Sequence, residues 1–447
     1  MSILFPKDFE WGVTTASYQI EGGCYEDGKG ESIWDRFCRT PGNIRNGDTG
    51  DIACDFYHKY KEDIERIKEL EIPFFRFSIS WPRIFPDNGH TVNEKGLEFY
   101  ERVFDELEES GIKAAVTLYH WDMPQWLQDM GGWQNRESIG FFCDYSKVVM
   151  ERFKGRVHKW ITLNEPWVCA FGGHYFGDFA PGIRDFSAAL QAAHHMLCAH
   201  GEAVRLFRKH DFGGEIGITL NLCPREEASD KMVDKAAASI NDGFANRWFL
   251  DPVFLGSYPG DMRAFYENKG VCLPKILEND MELISEKIDF LGINYYYVEF
   301  TAACEGNWPL GFRTLAGPYT VTEYGWPIVE RGLTDLLVRL DREYGAPAIY
   351  VTENGASYLD NVNVKGEVLD DNRIDYLERH IAACGKALEK GVKLKGYFVW
   401  TLMDDFEWNT GFHNRFGLIY VDHRTQKRII KKSGYWYRDI IRNNGIR

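Results

Sequence analysis

Two glutamates sit where an apolar run stops. Trp160–Trp167 reads WITLNEPW, and Tyr350–Gly355 reads YVTENG. A glutamate is rarely buried without a partner. Glu165 and Glu353 therefore either reach solvent at a strand end or face a site that needs them. Two carboxyls facing one cleft can cleave a glycosidic bond. One, protonated, donates to the leaving oxygen. The other, ionised, attacks the anomeric carbon or activates water. Environment divides the roles, because apolar or anionic surroundings raise a carboxyl pKa while cations and donors lower it. Arg76 is an isolated cation in the run FFRFSIS, and burying it calls for a carboxylate beside it. With Arg76 and Tyr296 as donors, Glu353 is expected to be the nucleophile. Glu165, preceded by Asn164 and boxed by Pro166 and Trp167, is expected to be the acid/base. A purely structural ion pair is the alternative for Arg76.

A sugar site also needs groups for ring hydroxyls and an aromatic floor. Gln19, His120, Asn164 and Glu407 offer the hydrogen bonding. Trp400 and Trp408 offer flat faces for the sugar C–H surface. Buried polar groups of this kind discriminate strongly, since an analogue lacking a hydroxyl leaves them unpaired.

Such residues need a frame that brings them together. Eight short apolar runs end in polar or aromatic residues: Glu10–Glu21, Phe74–Ser80, Lys113–Asp122, His158–Trp167, Glu215–Leu222, Ile288–Val298, Ala346–Gly355 and Leu394–Asp405. Between several lie amphipathic stretches such as HKYKEDIERIKELEI and RIDYLERHIAACGKALEKG, with apolar residues at helical spacing. Strands alternating with helices imply a parallel sheet. Eight such units fit an α/β fold of the (β/α)8 TIM-barrel type, one catalytic domain over residues 1–447 with long βα loops, chiefly Gly22–Ala53 and Thr301–Glu330. A barrel gathers its site at the C-terminal ends of its strands. Those ends carry Gln19, Arg76, His120, Asn164, Glu165, Asn221, Asn294, Tyr296 and Glu353.

The net charge is −15, which disfavours nucleic acid and anionic lipid as partners. The basic run Lys427–Lys432 reads as a solvated face. Ten scattered cysteines without a CxxC pair read as reduced small hydrophobes. With no secretory signal and no membrane-length apolar stretch, the expected location is cytoplasmic. His194 and Cys198 lie four apart on an expected helix, a spacing that could ligate zinc. No companion cysteine or carboxylate motif adjoins them, so a packed helix face is the expectation, with no metal.

The chain resembles glycoside hydrolase family one, the β-glucosidase family, over essentially its whole length. FEWGVTTASYQIEG (Phe9–Gly22), TLNEP (Thr162–Pro166), GINYY (Gly292–Tyr296), YVTENG (Tyr350–Gly355) and DDFEWNTGFHNRFG (Asp404–Gly417) carry the resemblance. It implies the barrel, a retaining double displacement, and no cofactor. It implies Glu165 as acid/base and Glu353 as nucleophile, supported by Arg76, Asn294 and Tyr296. It places Gln19, His120, Asn164, Trp400, Glu407, Trp408 and Phe416 around the non-reducing-end sugar. On the leaving-group side it places Trp121, Trp167, Cys169, His174, Asn221 and Trp326. Relatives usually have Asn where this chain has Asp405, a carboxylate that either alters local pKa values or faces outward. The branch acting on 6-phosphates replaces the Glu407–Trp408 pair, which is intact here, so a phosphorylated substrate is not expected. The expected reaction is release of terminal β-D-glucosyl residues from cello-oligosaccharides and aryl or alkyl β-glucosides. β-Galactosidase or β-fucosidase side activity and transglycosylation would accompany it. The partner is a small β-glucoside, and the oligomeric state, homo-oligomer included, is open. A non-catalytic β-glucoside-binding protein of the same fold is the rival, opposed by the two intact glutamates.

Overall fold

The computed structural model describes residues 2–88 and 90–447. Eight parallel strands close into a barrel: β1 (Glu10–Thr14), β2 (Phe74–Ser78), β3 (Lys113–Tyr119), β4 (Val157–Asn164), β5 (Glu215–Asn221), β6 (Phe290–Asn294), β7 (Ile349–Asn354) and β8 (Leu394–Trp400). They pair in sequential order, and β8 returns to β1 with Trp400 opposite Thr14. Each lies within one of the eight apolar runs, except that β4 begins one residue earlier. The amphipathic stretches form the helices Phe56–Glu69 and Asp371–Glu389 on the outside.

Sealing the barrel interior are Phe74, Ala115, Ile161, Phe290, Tyr350 and Phe398, six buried apolar side chains from six strands. Lys159 closes the floor. It pairs with Glu10 and Glu215 and lies 4.3 Å from the Tyr350 ring centroid. Polar side chains collect at the other end, as barrel geometry requires.

Both strands that lead to the glutamates carry an extra residue there. In β4, Ile161 and Asn164 pair with Gly217 and Thr219, so three steps oppose two. In β7, Val351 and Glu353 pair with Ile293 and Asn294, so two steps oppose one. A bulge of this kind re-aims a side chain that strict alternation would point elsewhere.

The long connections are more ordered than their sequence suggests. Gly22–Ala53 holds the helix Ile33–Arg39, started by a capping box between Ser32 and Asp35. Glu299–Ala303 leads into the second long loop and pairs antiparallel with Phe312–Leu315 inside it, and Arg225–Glu227 adds a third strand. The basic C-terminal run is a solvated face only in part: Lys427 and Lys432 are exposed, Arg428 and Lys431 are not. Arg428 is buried against Asp63 at 2.9 and 3.0 Å, and Lys431 is buried against Asp404 at 2.6 Å and Asp360 at 2.5 Å. A buried cation needs such partners, and the acids that supply them lie far away in sequence. All ten cysteines are free. Among the described residues no helix is long and apolar enough to cross a membrane.

Candidate active site

A pocket of about 930 Å³, its open mouth included, lies at the C-terminal ends of the strands. Glu165 and Glu353 both line it. Glu165 follows the end of β4 with φ of 51°, in the left-handed region that is strained for a non-glycine residue. Its own N–H donates to Thr219 O at 2.9 Å and holds that turn against β5.

Arg76 anchors the other carboxyl. Its Nη1 donates to Glu353 Oε1 at 2.7 Å, and its Nη2 to Asn164 Oδ1 at 2.7 Å. Tyr296 Oη donates to Glu353 Oε2 at 2.8 Å. Glu165 has a single amide donor, Asn294 Nδ2, 2.6 Å from its Oε1. Thr352 Oγ1 in turn donates to Asn294 Oδ1 at 2.8 Å, which fixes the Asn294 amide the right way round.

These surroundings separate the two acids. Burial pushes Glu165 up, the Glu353 charge adds to it, and the carboxyl reaches about 8. Burial also pushes Glu353 up, but Arg76 and the Tyr296 hydroxyl pull against it. When one proton is shared between two such groups, the less-donated carboxyl holds it. Glu165 is therefore the protonated member and Glu353 the anion. Glu407, pushed up to about 8 by burial and then by Glu353, is a third carboxyl in the pocket.

The polar groups for a ligand have open valences. Asn164 Oδ1 accepts from both Arg76 and Asn294, so its Nδ2 is the donor to His120 Nε2 at 3.0 Å. His120 then carries its proton on Nδ1, which is buried with no partner. Burial, and Arg76 after it, hold this imidazole neutral. Gln19 Oε1 and Glu407 Oε2 are likewise buried and unpartnered. Buried polar atoms left open in this way await a ligand or water.

Of the residues expected around the sugar, His120, Asn164, Trp400, Glu407, Trp408 and Phe416 line the pocket. Gln19 stands behind its wall on a short helix, Ser17–Ile20, rather than on a strand. Its Nε2 donates to Phe406 O at 2.9 Å, beside Glu407. Trp121, Trp167, Asn221 and Trp326 line the pocket as well, with Asn294 and Tyr296. Cys169 and His174 do not. The segment Val168–Phe176 winds as a π-helix that turns both inward to a smaller cavity behind Trp121. There His174 Nδ1 bonds Cys169 O at 2.9 Å.

Sequence reasoning missed Tyr297, Tyr324 and Arg225, which also line the pocket. Tyr324 stacks on Trp326 at 4.3 Å, and Tyr297 stacks on it at 5.1 Å. Their adjacency to Tyr296 and Trp326 in sequence was the available signal. Arg225 had none, being one charge in a mixed-charge stretch.

The loop bearing Glu407 is held by Asp404. This acid pairs with Lys431 at 2.6 Å and Arg415 at 2.7 Å, and accepts Gly417 N–H at 3.0 Å. Asp405 beside it does not face outward. It is 1% exposed, and neither carboxylate oxygen has a partner. Burial, then the charges of Glu407 and Asp404, push it well above the usual carboxylate range.

His194 and Cys198 do acquire a carboxylate, Asp280, from a distant segment. That carboxylate is already engaged by Arg136 and by the Leu277 N–H at 2.7 Å. Tyr258 hydroxyl meets His194 Nδ1 at 3.0 Å, and burial pushes the Cys198 thiol up to about 12. A metal would need the thiolate and a free carboxylate, so the cluster reads as a packed hydrogen-bond network.

A family model described as glycosyl hydrolase family 1 matches residues 1–446. The chain is 47% identical over 447 residues to β-glucosidase A of Acetivibrio thermocellus, covering 99% of each. It is 49% identical over 446 residues to β-glucosidase A of Thermotoga maritima, covering 99% of this chain and 98% of the relative. A solved structure of a family 1 β-glucosidase from Thermotoga maritima superposes with a TM-score of 0.96 at 48% identity, covering 100% of this chain and 99% of the other. That relative has also been solved in complex with deoxynojirimycin.

Proposed function

This chain belongs to glycosyl hydrolase family 1, and on that premise we propose that it is a retaining β-glucosidase with Glu165 as acid/base and Glu353 as nucleophile. The observation that carries the reading is the pair of glutamates in one pocket, one ion-paired to Arg76 and bonded by Tyr296, the other given a single amide donor. Glu353 attacks the anomeric carbon while Glu165 gives its proton to the departing oxygen. Glu165, now ionised, then takes a proton from water as the water oxygen attacks the anomeric carbon, the Glu353–sugar bond breaks and Glu353 leaves as carboxylate. His120, Asn164, Glu407, Trp400, Trp408 and Phe416 hold the terminal glucosyl ring, and Gln19, bonded to Phe406 O next to Glu407, supports that end of the site. Asn294 holds Glu165 in place. Trp121, Trp167, Asn221 and Trp326 line the leaving-group side. The substrates are cello-oligosaccharides and aryl or alkyl β-glucosides. β-Galactosides and β-fucosides are side substrates, and an alcohol that outcompetes water is glycosylated.

A 2-deoxy-2-fluoro-β-glucosyl fluoride tests this, because the fluorine slows breakdown of the covalent intermediate. The expected outcome is one fluoroglucosyl adduct by intact mass, mapping to Glu353. An adduct on another carboxylate would overturn the assignment of roles. Turnover of an aryl β-glucoside with no adduct would overturn the covalent mechanism.

A further inference from the structure

We propose that Arg225 reads the leaving group, donating hydrogen bonds to a sugar hydroxyl there and so favouring oligosaccharides over simple aryl glucosides. The inference rests on the β-glucosidase reading above and extends it to the leaving-group side.

The argument begins with placement. Glu165, the proton donor, is tied to β5 through Thr219 O. The chain leaving β5 runs outward from that point as Asn221, Leu222, Cys223 and Arg225, each lining the pocket. This wall therefore starts beside the acid. What it touches is the part of the substrate that Glu165 protonates and releases.

Arg225 is built into that wall. It sits opposite Glu299 in a parallel strand pair, and its guanidinium ion-pairs with the Glu299 carboxylate. Asn241 Nδ2 donates to Glu299 at 3.2 Å and steadies the acceptor. The Arg225 side chain is 5% exposed, yet its Nε is buried with no hydrogen-bond partner. Among the described residues Glu299 is its one ionic partner. A guanidinium carries five N–H donors, and of these at least the Nε–H is open in a side chain that lines the pocket.

Charge decides what it accepts. Glu299 balances the cation, and the Glu353 anion stands in the same pocket. An anionic leaving group gains little here. A neutral hydroxyl or ring oxygen gains a hydrogen bond and satisfies an orphaned donor. Trp326, Tyr297 and Tyr324 form an aromatic cluster that lines the same pocket and offers a second sugar an apolar wall.

The test compares kcat/KM on cellobiose with kcat/KM on phenyl β-glucoside, whose leaving group offers no further oxygen. In Arg225→Met the ratio is expected to fall about tenfold, the worth of a hydrogen bond to a charged donor. The loss should lie mainly in KM. An unchanged ratio would overturn the proposal, as would an equal fall on both substrates, which marks a structural role. Should Arg225→Met fail to fold, Arg225→Lys carries the test. It keeps the charge facing Glu299 and removes the fork of donors, so the ratio should still drop at least about threefold; an unchanged ratio there overturns the proposal equally. Hydrolysis of neither substrate by the unaltered protein would sink the β-glucosidase reading itself, and this inference with it.

Discussion

Arg76 Nη1 lies 2.7 Å from Glu353 Oε1, with the two side chains 1% and 4% exposed. Removing one member of such a pair leaves the other buried and uncompensated. Arg76→Met is expected to lose about 3–5 kcal/mol of stability and to lower kcat about 10²–10³-fold. The sign of the pH effect is the sharper check. Without the cation Glu353 ionises less readily, so the acid limb of the kcat/KM profile moves to higher pH. A limb that stays in place would mean that Arg76 acts only on the scaffold.

The alkaline limb reports the other carboxyl. Glu165 must hold its proton to act as donor, and burial with the Glu353 charge places it at about 8. Activity should be present below that pH and fall as pH rises through it, with the apparent values belonging to the coupled pair. The Asn294 amide pulls Glu165 downward. Asn294→Ala should therefore shift the alkaline limb upward even as overall activity drops, which a pH series on both proteins would reveal. A downward shift would contradict the assignment.

Glu165→Gln separates proton donation from bond formation to the sugar. Glu353 keeps Arg76 and Tyr296 in this variant. A substrate whose leaving group needs no proton, such as a dinitrophenyl β-glucoside, should still glycosylate the enzyme. Cellobiose turnover should fall about 10²–10⁴-fold. Presteady-state release of dinitrophenol, set against steady-state cellobiose hydrolysis, measures the difference. Equal losses on both substrates would remove Glu165 from its role.

Much of this was legible in the amino-acid order, for identifiable reasons. Each barrel strand is a continuous apolar run because helices cover the sheet, so all eight runs were visible. The polar ends of those runs marked the mouth. What stayed hidden was set by register and by distant partners. The bulges in β4 and β7 aim Asn164 and Glu353, and alternation along a single strand does not reveal them. Lys431 looks solvent-facing until Asp404 and Asp360 arrive. Cys169 and His174 turn away from the pocket because a π-helix, not a regular turn, follows Glu165. Arg225 enters the pocket only because a loop strand pairs with Glu299.

Asp405 supplies the last prediction. Its carboxyl is buried, partnerless, and pushed well up by burial and by the charges of Glu407 and Asp404. In the folded protein it keeps its proton, whereas in the unfolded chain it releases it near the ordinary value of about 3.9. The unfolded state therefore binds fewer protons above that value, and linkage makes stability fall as pH rises. The contribution is whole below about pH 4 and is lost progressively up to the raised folded value. Asp405→Asn removes this titration while keeping the shape. Thermal unfolding of both proteins at about pH 5 and about pH 8 should show the variant gaining more at the higher pH. If the gain were equal at both, Asp405 would not be the buried proton holder that its surroundings require. If the variant were instead less stable at pH 8, the carboxylate would have to be ionised and held by a partner absent from its buried site.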